Sequence, residues 1–432
     1  MPADVVVGMQ WGDEGKGKVV DFLAGRYHAV VRYGGGSNAG HTVYLNKEVA
    51  DHVGKESLVF HLLPSGVLYE GKSNVLADGM VVDPEVLAKE ITGLKEKDLL
   101  NGNLHVSDRI HLTLPHYYAI EEEDERLRGS ANIGTTRQGV GPTYAFFVNR
   151  AGIRLCDLAD ETSLRERMSL NIKAAKRLLP QNHEINIDAL VGQLMKSYEA
   201  IAPYVTDTSF LIHKWLSQGR DVLFEGAQGT HLDVMYGTYP YVTSSHPTVG
   251  GVSVGAGVPA TWVRNVFGVA KAYPTRVGRG VLPTKMEPEL AHIIRDKAQE
   301  YGATTGRPRD IGWPDHVALR YAKRINGVTQ LVVTRLDILD GLNPIKVANS
   351  YRLDGRVIDE TNEPFPASGS ELEKCEPVYG ELPGWEEETF GVTDYSKLPD
   401  NARRFIERME EELQLHTGII STGPRRHETI VR

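Results

Sequence analysis

The sequence predicts an α/β fold: one large domain, residues 1–432, around a mostly parallel central sheet, with a P-loop-like phosphate loop and helical and loop insertions. Three observations predict it. Short β-branched runs end in glycine, stretches of helical periodicity lie between them, and the first run enters a helix through a glycine- and lysine-rich turn. In chain order, Asp4-Val5-Val6-Val7 reads as a buried parallel strand ending at Gly8, and Lys16 to Leu23 keep a helical pattern through Val19, Val20 and Leu23. Ala29-Val30-Val31-Arg32-Tyr33 gives a second strand; Val75–Ala77, Asp221–Phe224, Asn265–Ala272 and Gln330–Thr334 give further ones. Helices are predicted where Leu164, Met168, Ile172, Ala175 and Leu179 recur up to Pro180, around Leu190, Leu194 and Tyr198, and at Leu211 and Trp215 ahead of Gly219. A last helix has Asp400 as its N-cap, Phe405, Ile406, Met409 and Leu413 on one face, and Gly418 as its stop. Residues of about 160–220 read as a helical insertion, and the Glu- and Pro-rich stretch of about 360–395 as a surface excursion.

Composition narrows the function. With 48 Lys+Arg against 57 Asp+Glu, the formal charge is −9, which argues against a nucleic-acid footprint. Phosphorylated ligands stay open, because a few placed cations suffice for them. Two cysteines, Cys156 and Cys375, make no disulfide framework. No apolar run approaches the ~18 residues of a membrane helix, and Met1-Pro2-Ala3-Asp4 runs into a strand without a signal pattern, so the expectation is a cytoplasmic protein. Glycine is the one departure: 44 of 432 residues, about 10% against a usual ~7%. The excess clusters at Gly8–Gly17, Gly34–Gly40, Gly129–Gly141, Gly226–Gly257 and Gly278–Gly280, where backbone must turn sharply or approach something closely.

Gly12-Asp13-Glu14-Gly15-Lys16-Gly17-Lys18 fits Gly-x-x-x-x-Gly-Lys between a strand and a helix. There, backbone N–H groups, the helix dipole and lysines meet phosphate oxygens. A tight turn with surface lysines is the plainer alternative, and the three glycines and the context weigh against it. Val19 stands where an ordinary loop carries a hydroxyl for Mg2+, so the metal needs another ligand. Asp13, a carboxylate inside a phosphate loop, either binds Mg2+, abstracts a proton, or does both. Gly34-Gly35-Gly36-Ser37-Asn38-Ala39-Gly40-His41-Thr42 follows the second strand, and His41 there is a candidate general acid at the ligand-binding end of the sheet.

Gln10-Trp11 with the first loop, and Asn38-Ala39-Gly40-His41-Thr42, resemble the two signatures of the adenylosuccinate synthetase family. Matching stretches follow in order: Ile133-Gly134-Thr135-Thr136, Phe224-Glu225-Gly226-Ala227-Gln228-Gly229-Thr230, and Gly237 to Ser245. Ala272-Tyr273 with Thr275-Arg276-Val277-Gly278, then Gly302-Ala303-Thr304-Thr305-Gly306-Arg307, and Ser421-Thr422-Gly423-Pro424 complete the set across nearly the whole chain.

The resemblance implies a GTP-dependent ligase joining IMP to L-aspartate through a 6-phosphoryl-IMP intermediate, with Mg2+, in purine nucleotide biosynthesis. It implies Asp13 as the base at N1 and a Mg2+ ligand, the Gly40 carbonyl as a second ligand, His41 as the acid at the transferring phosphoryl, and Gln228 as the amide holding the 6-oxygen. GTP would meet Gly12, Asp13, Glu14, Gly15, Lys16, Gly17 and Lys18, then Gly40, His41, Thr42 and Arg309, with Arg335, Leu336 and Asp337 at guanine and Ser421, Thr422 and Gly423 beside it. IMP would meet Asp13, Glu14, Gly15 and Lys16, then Asn38, Ala39, Gly40 and His41, and finally Thr136, Arg150, Gln228, Thr243, Val277 and Arg307. Arg150 reaching the partner subunit's site implies a homodimer. Aspartate would lie in Ala303, Thr304, Thr305, Gly306, Arg307, Pro308 and Arg309, whose arginines offer two-point carboxylate contacts.

Some positions depart from the family pattern. Arg335 and Phe147 stand where lysine is usual, Pro308-Arg309-Asp310 replaces a more basic run, and Arg137-Gln138 alters the loop after Thr136. None touches Asp13, His41 or Gln228, so affinities rather than chemistry should change. Relatives that use a guanine nucleotide as acceptor lack the loop carboxylate, so Asp13 favours IMP. Three other classes compete: a regulatory GTPase switch, disfavoured by Val19; another NTP-dependent carboxylate–amine ligase; and an inert nucleotide-binding scaffold, disfavoured by the presence of Asp13, His41 and Gln228.

Overall fold

A computed structural model of the chain describes residues 2–302 and 306–432. Its centre is a ten-stranded sheet. In chain order the strands are β1 (Ala3–Gly8), β2 (Ala29–Arg32), β3 (Ser73–Leu76), β4 (Asn103–Ser107), β5 (Val205–Thr206), β6 (Val222–Glu225), β7 (Val263–Lys271), β8 (Gln330–Thr334), β9 (Thr417–Ser421) and β10 (Thr429–Val431). Their order across the sheet is β10-β9-β8-β7-β1-β6-β2-β3-β4-β5. Neighbours are parallel from β9 to β5, and β10 alone runs antiparallel, against β9.

Alternation along each strand builds two faces. Val5 and Val7 of β1 pack with Phe224, Val333 and the Phe405, Ile406 and Met409 stripe of helix Asp400–Leu413. Val6 points the other way, onto Val19, Val20 and Leu23 of helix Lys16–Ala24. A third cluster joins Leu104 and Val106 of β4 to the helices Glu161–Ala175 and Ile187–Ile201, which fill the stretch predicted as a helical insertion. Since the strands are parallel, the loops after β1, β2, β6, β7, β8 and β9 all leave the same edge, where an α/β protein binds ligands.

Several boundaries differ from the sequence reading. The helix predicted to reach Leu179 ends at Ala175 and continues as turns. Asp400 is the first helical residue behind Pro399, without capping the chain's amides by its side chain. That helix ends at Leu413, where Gln414 takes the left-handed cap, and Gly418 is not its stop. Gly418 lies inside β9 instead, where a Cβ would run into the Gln330 side chain of the neighbouring strand. Residues of about 360–395 contain strand Glu376–Leu382, which pairs antiparallel with Ile345–Leu353. It is an edge strand, and an edge tolerates its Pro377. The pairings β4, β5, β9 and β10 carried no prediction.

Candidate active site

The loop after β1 opens through Gly12 and closes on Gly15, the left-handed N-cap of helix Lys16–Ala24 at φ 84°. Between them Asp13 holds φ 58°, a conformation that costs a non-glycine residue about 1–3 kcal/mol and persists where surrounding structure imposes it. Gln228 and Arg335 share it, at φ 51° and 59°. Glu14 departs from the phosphate-loop expectation. Its buried carboxylate accepts from the Gln10 and Gly12 amides, each at 3.0 Å, and from Lys16 Nζ at 2.6 Å. Two amides and one lysine of the loop therefore answer an internal anion, and Glu14 does not line the cavity. Gly229, from the loop after β6, closes over this turn: a Cβ there would strike the Gln10 carbonyl and the Glu14 carboxylate.

Lys18 Nζ bonds Ser421 Oγ and the Gly423 carbonyl at 2.6 Å, and the Glu428 carbonyl at 2.7 Å. Burial lowers its pKa to about 8 against the pull of Glu428 and Asp337. The predicted nucleotide contacts of the first loop and of residues 421–423 are thus joined by one ammonium. Thr422 bonds the Val392 carbonyl behind this contact.

His41 begins strand His41–Tyr44 and packs against Gly17, where an added Cβ would lie 3.0 Å from its own. Its Nε2 is buried without a hydrogen-bond partner, 3.9 Å from Glu225 Oε1. Burial takes the imidazole down to about pH 4, with Glu225 opposing and Arg32 adding to the fall. Glu225 is itself held by the Ser65 amide at 3.0 Å and hydroxyl at 2.8 Å. Gln228 Nε2 donates to Asn38 Oδ1 at 3.2 Å, while its buried Oε1 is unpartnered. An unpaired buried acceptor in a cavity wall marks a place for a ligand donor.

Arg309 Nε lies 2.8 Å from Asp13 Oδ2, as an ion pair whose N–H is not aligned for a hydrogen bond. Its Nη1 donates to Glu300. Asp337, just past β8, lines the cavity with Oδ1 buried and unpartnered. Burial pushes its carboxyl up to about 6, against Arg335 and Lys18. Leu336 beside it is core.

Ile133, Gly134 and Thr135 donate their amides to the Glu125 carboxylate at 2.9, 2.8 and 3.2 Å. Gly139 N donates to Glu121 at 2.6 Å. Arg307 crosses to the carbonyls of Gly134 and Thr135 at 2.9 and 2.5 Å, joining this loop to the predicted aspartate segment. Of that segment, Ala303, Thr304 and Thr305 lie outside the described residues; Gly306 and Pro308 are exposed.

One cavity of about 1610 Å3 brings most of the predicted contacts together, while Glu14, Arg307, Leu336 and Thr422 are not in its wall; it is larger than the ~300–1,000 Å3 of a single small-ligand pocket. Its wall includes Gly12, Asp13, Gly15, Lys16, Gly17 and Lys18, the segment Asn38 to Thr42, and Thr136, Gln228, Thr243 and Val277. Arg309, Arg335, Asp337, Ser421 and Gly423 complete it. Arg150 is exposed outside it, at φ 62° just beyond helix Val140–Val148.

The family model described as adenylosuccinate synthetase matches residues 5–430. The chain belongs to the adenylosuccinate synthetase family. It is 47% identical to the adenylosuccinate synthetase of Carboxydothermus hydrogenoformans, over 100% of this chain and 99% of that one. It is 45% identical to that of Halothermothrix orenii, over 99% and 98%. Among solved structures, fully ligated adenylosuccinate synthetase from Plasmodium falciparum superposes with a TM-score of 0.92 at 34% identity, covering 100% of both chains. A cyanophage S-2L succinoaminodeoxyadenylate synthetase bound to dGMP and dATP shares the fold, with a TM-score of 0.61 at 19% identity over 99% and 95% of the two chains.

The departures from the adenylosuccinate synthetase pattern are not all remote: Arg335 and Arg309 line the cavity, and Arg309, in the Pro308-Arg309-Asp310 run, lies against Asp13, contrary to the expectation that none touches it. Phe147 stacks on His111 with ring centroids 4.1 Å apart, so an aromatic contact fills the place of a charge. Sequence reasoning misses several carboxylates and a lysine: Glu225 lies within a motif that assigns it no role, and Glu121, Glu125, Glu300 and Lys271 carry no local signal.

Proposed function

We propose that this cavity joins IMP to L-aspartate at the expense of GTP, giving adenylosuccinate, GDP and phosphate. The observation that carries the reading is Asp13: a carboxylate held in a strained turn of a phosphate loop, in one cavity with His41 and Gln228. Asp13 accepts the N1 proton of IMP, and the 6-oxygen, made nucleophilic, attacks the γ-phosphorus of GTP as the bond to GDP breaks. Gln228 fixes that oxygen through its side-chain amide, and His41 donates a hydrogen bond to the phosphoryl group where charge develops. The aspartate amine then attacks C6 of 6-phosphoryl-IMP, the C6–O bond breaks, phosphate leaves with the electron pair, and the new N–C6 centre releases one proton to the departing phosphate or solvent.

Magnesium fits the donor set. Among the described residues no group of three or more His, Cys, Asp or Glu side chains could hold a metal, whereas Mg2+ keeps waters and substrate phosphates and needs only one or two carboxylates. Asp13 and the Gly40 carbonyl, both in the wall, would hold it. When bound it neutralises charge on the phosphates. Arg307 and Arg309 are read as aspartate contacts, Asn38, Thr136 and Thr243 as IMP contacts, and Asp337 as the acceptor for guanine N1–H and its 2-amino group.

We read the assembly as a homodimer in which Arg150 serves the partner's site. In support, Arg150 is exposed away from its own cavity, beside exposed Phe147 and Val148. No helix among the described residues is long and apolar enough to cross a membrane, and the cytoplasm is the proposed compartment. Phosphate release should require IMP, aspartate, GTP and Mg2+ together, measured by omitting each in turn. Steady GTP turnover without IMP would overturn the reading.

A further inference from the structure

A row of alternating charges runs from behind the cavity wall into it: Lys271 and Glu300 behind, Arg309 and Asp13 in the wall. Glu300 is fully buried, just past helix Pro288–Ala298, where Gln299 turns the chain at φ 54°. Its Oε1 accepts from Lys271 Nζ at 2.8 Å and from Tyr273 OH at 2.7 Å, and its Oε2 accepts from Arg309 Nη1. The backbone reinforces this, since Arg309 N donates to the Glu300 carbonyl at 3.0 Å. Lys271 is fixed in turn. Its Nζ donates to Thr275 Oγ1 at 2.7 Å, and its peptide exchanges two 3.0 Å bonds with the Gln10 amide, next to the phosphate loop.

Glu300 occupies one end of the Arg309 guanidinium. The side-on edge, Nε with Nη2, is the edge that grips a carboxylate at two points. Nε is buried 2.8 Å from Asp13 Oδ2 as an ion pair without an aligned hydrogen bond, so a ligand carboxylate meeting this edge would share it with Asp13. We propose that Glu300, anchored by Lys271 and Tyr273, is a positioning residue that clamps Arg309 at Nη1 and presents its side-on edge to the α- or β-carboxylate of the aspartate substrate. Glu300 touches neither substrate nor reacting atoms; it acts through Arg309. Its charge matters as well as its shape, because a neutral residue would leave the Lys271 and Arg309 cations buried together without the anion between them. Burial favours the protonated carboxyl, yet Lys271 and then Arg309 hold it at about 2, so the clamp stays charged across the working range.

This inference rests on reading Arg309 as an aspartate contact, and the test separates the two. Steady-state kinetics on the full-length enzyme with Glu300→Gln should raise KM for aspartate about tenfold, the scale of one lost charged hydrogen bond. KM for IMP should stay within about twofold and kcat should fall little. Tyr273→Phe, which keeps every charge, should move the aspartate KM the same way by a smaller factor, and Glu300→Asp should recover part of the loss. In an Arg309→Lys background, Glu300→Gln should add no further change to the aspartate KM. If Glu300→Gln does not fold, the same split read from Tyr273→Phe decides. Aspartate KM unmoved in both variants, or raised equally with that for IMP, overturns the positioning role. An Arg309→Lys enzyme with normal aspartate KM overturns instead the assignment of Arg309 itself.

Discussion

Asp337 illustrates what a single residue can and cannot reveal. As a Thr-Arg-Leu-Asp tetrapeptide at a strand end, it reads equally as a cap or as a guanine acceptor. The fold supports the second reading, because its Oδ1 is buried, unpartnered and in the cavity wall. Only the ionised carboxylate accepts from both guanine N–H groups, and burial pushes its pKa up to about 6. The sign follows directly: binding is favoured above that value and lost as pH falls through it, at about tenfold per unit once well below. Guanosine carries no titrating phosphate, so its competition against GTP isolates the effect. Its inhibition constant should rise about tenfold between pH 7 and 5, and Asp337→Asn should be weak and flat over the same range. A constant value in the unaltered enzyme would remove Asp337 from guanine recognition.

At the scale of elements, the loop of residues 133–139 shows how a helix can shape a binding segment. Glu121 and Glu125 stand one turn apart on helix Pro115–Arg128 and collect four amides of that loop. These amides are therefore spent on protein carboxylates, and Thr135 and Thr136 remain in the cavity wall. Replacing Glu125 by Gln puts an NH2 where three N–H donors converge. KM for IMP should rise about tenfold while KM for GTP moves much less, on the scale of unsatisfied buried donors. An unchanged IMP KM with an unchanged melting temperature would show that the loop holds itself. The same element explains a limit of sequence reading. Local periodicity located helix Glu161–Ala175 and strand Gln330–Thr334, the latter to the residue, because burial of one face follows from nearby residues. It misjudged Gly418, whose need for glycine comes from Gln330 on another strand.

The whole molecule sorts what was legible from what was not. The parallel sheet, the glycine loops at its ligand end, and Asp13 and His41 as candidates in those loops are legible, because phosphate loops and strand-to-helix turns are contiguous in sequence; Gln228 is offered only by the family resemblance. The supports behind them were not: Glu14 and Lys16 satisfy each other, Lys18 is held by residues 421–428, and the Lys271–Glu300–Arg309 row spans three elements. Arg150 is the extreme case, since among the described residues it does not line the proposed site of its own chain. A shared site makes a quantitative demand on mixed dimers. Asp13→Ala should abolish turnover while GTP binding survives, because Lys18 and the Gly15 and Gly17 backbone remain. Arg150→Leu should also be nearly inactive. Mixing equal amounts of the two variants and allowing subunits to exchange makes half the dimers hybrid. In each hybrid, one of its two sites combines a native Asp13 with a native Arg150 from the other subunit. Activity should return to about a quarter of the unaltered enzyme, by that statistical count for a two-fold dimer. If Arg150 acted within its own chain, every site in the mixture would still carry a lesion, and no activity would return however complete the exchange.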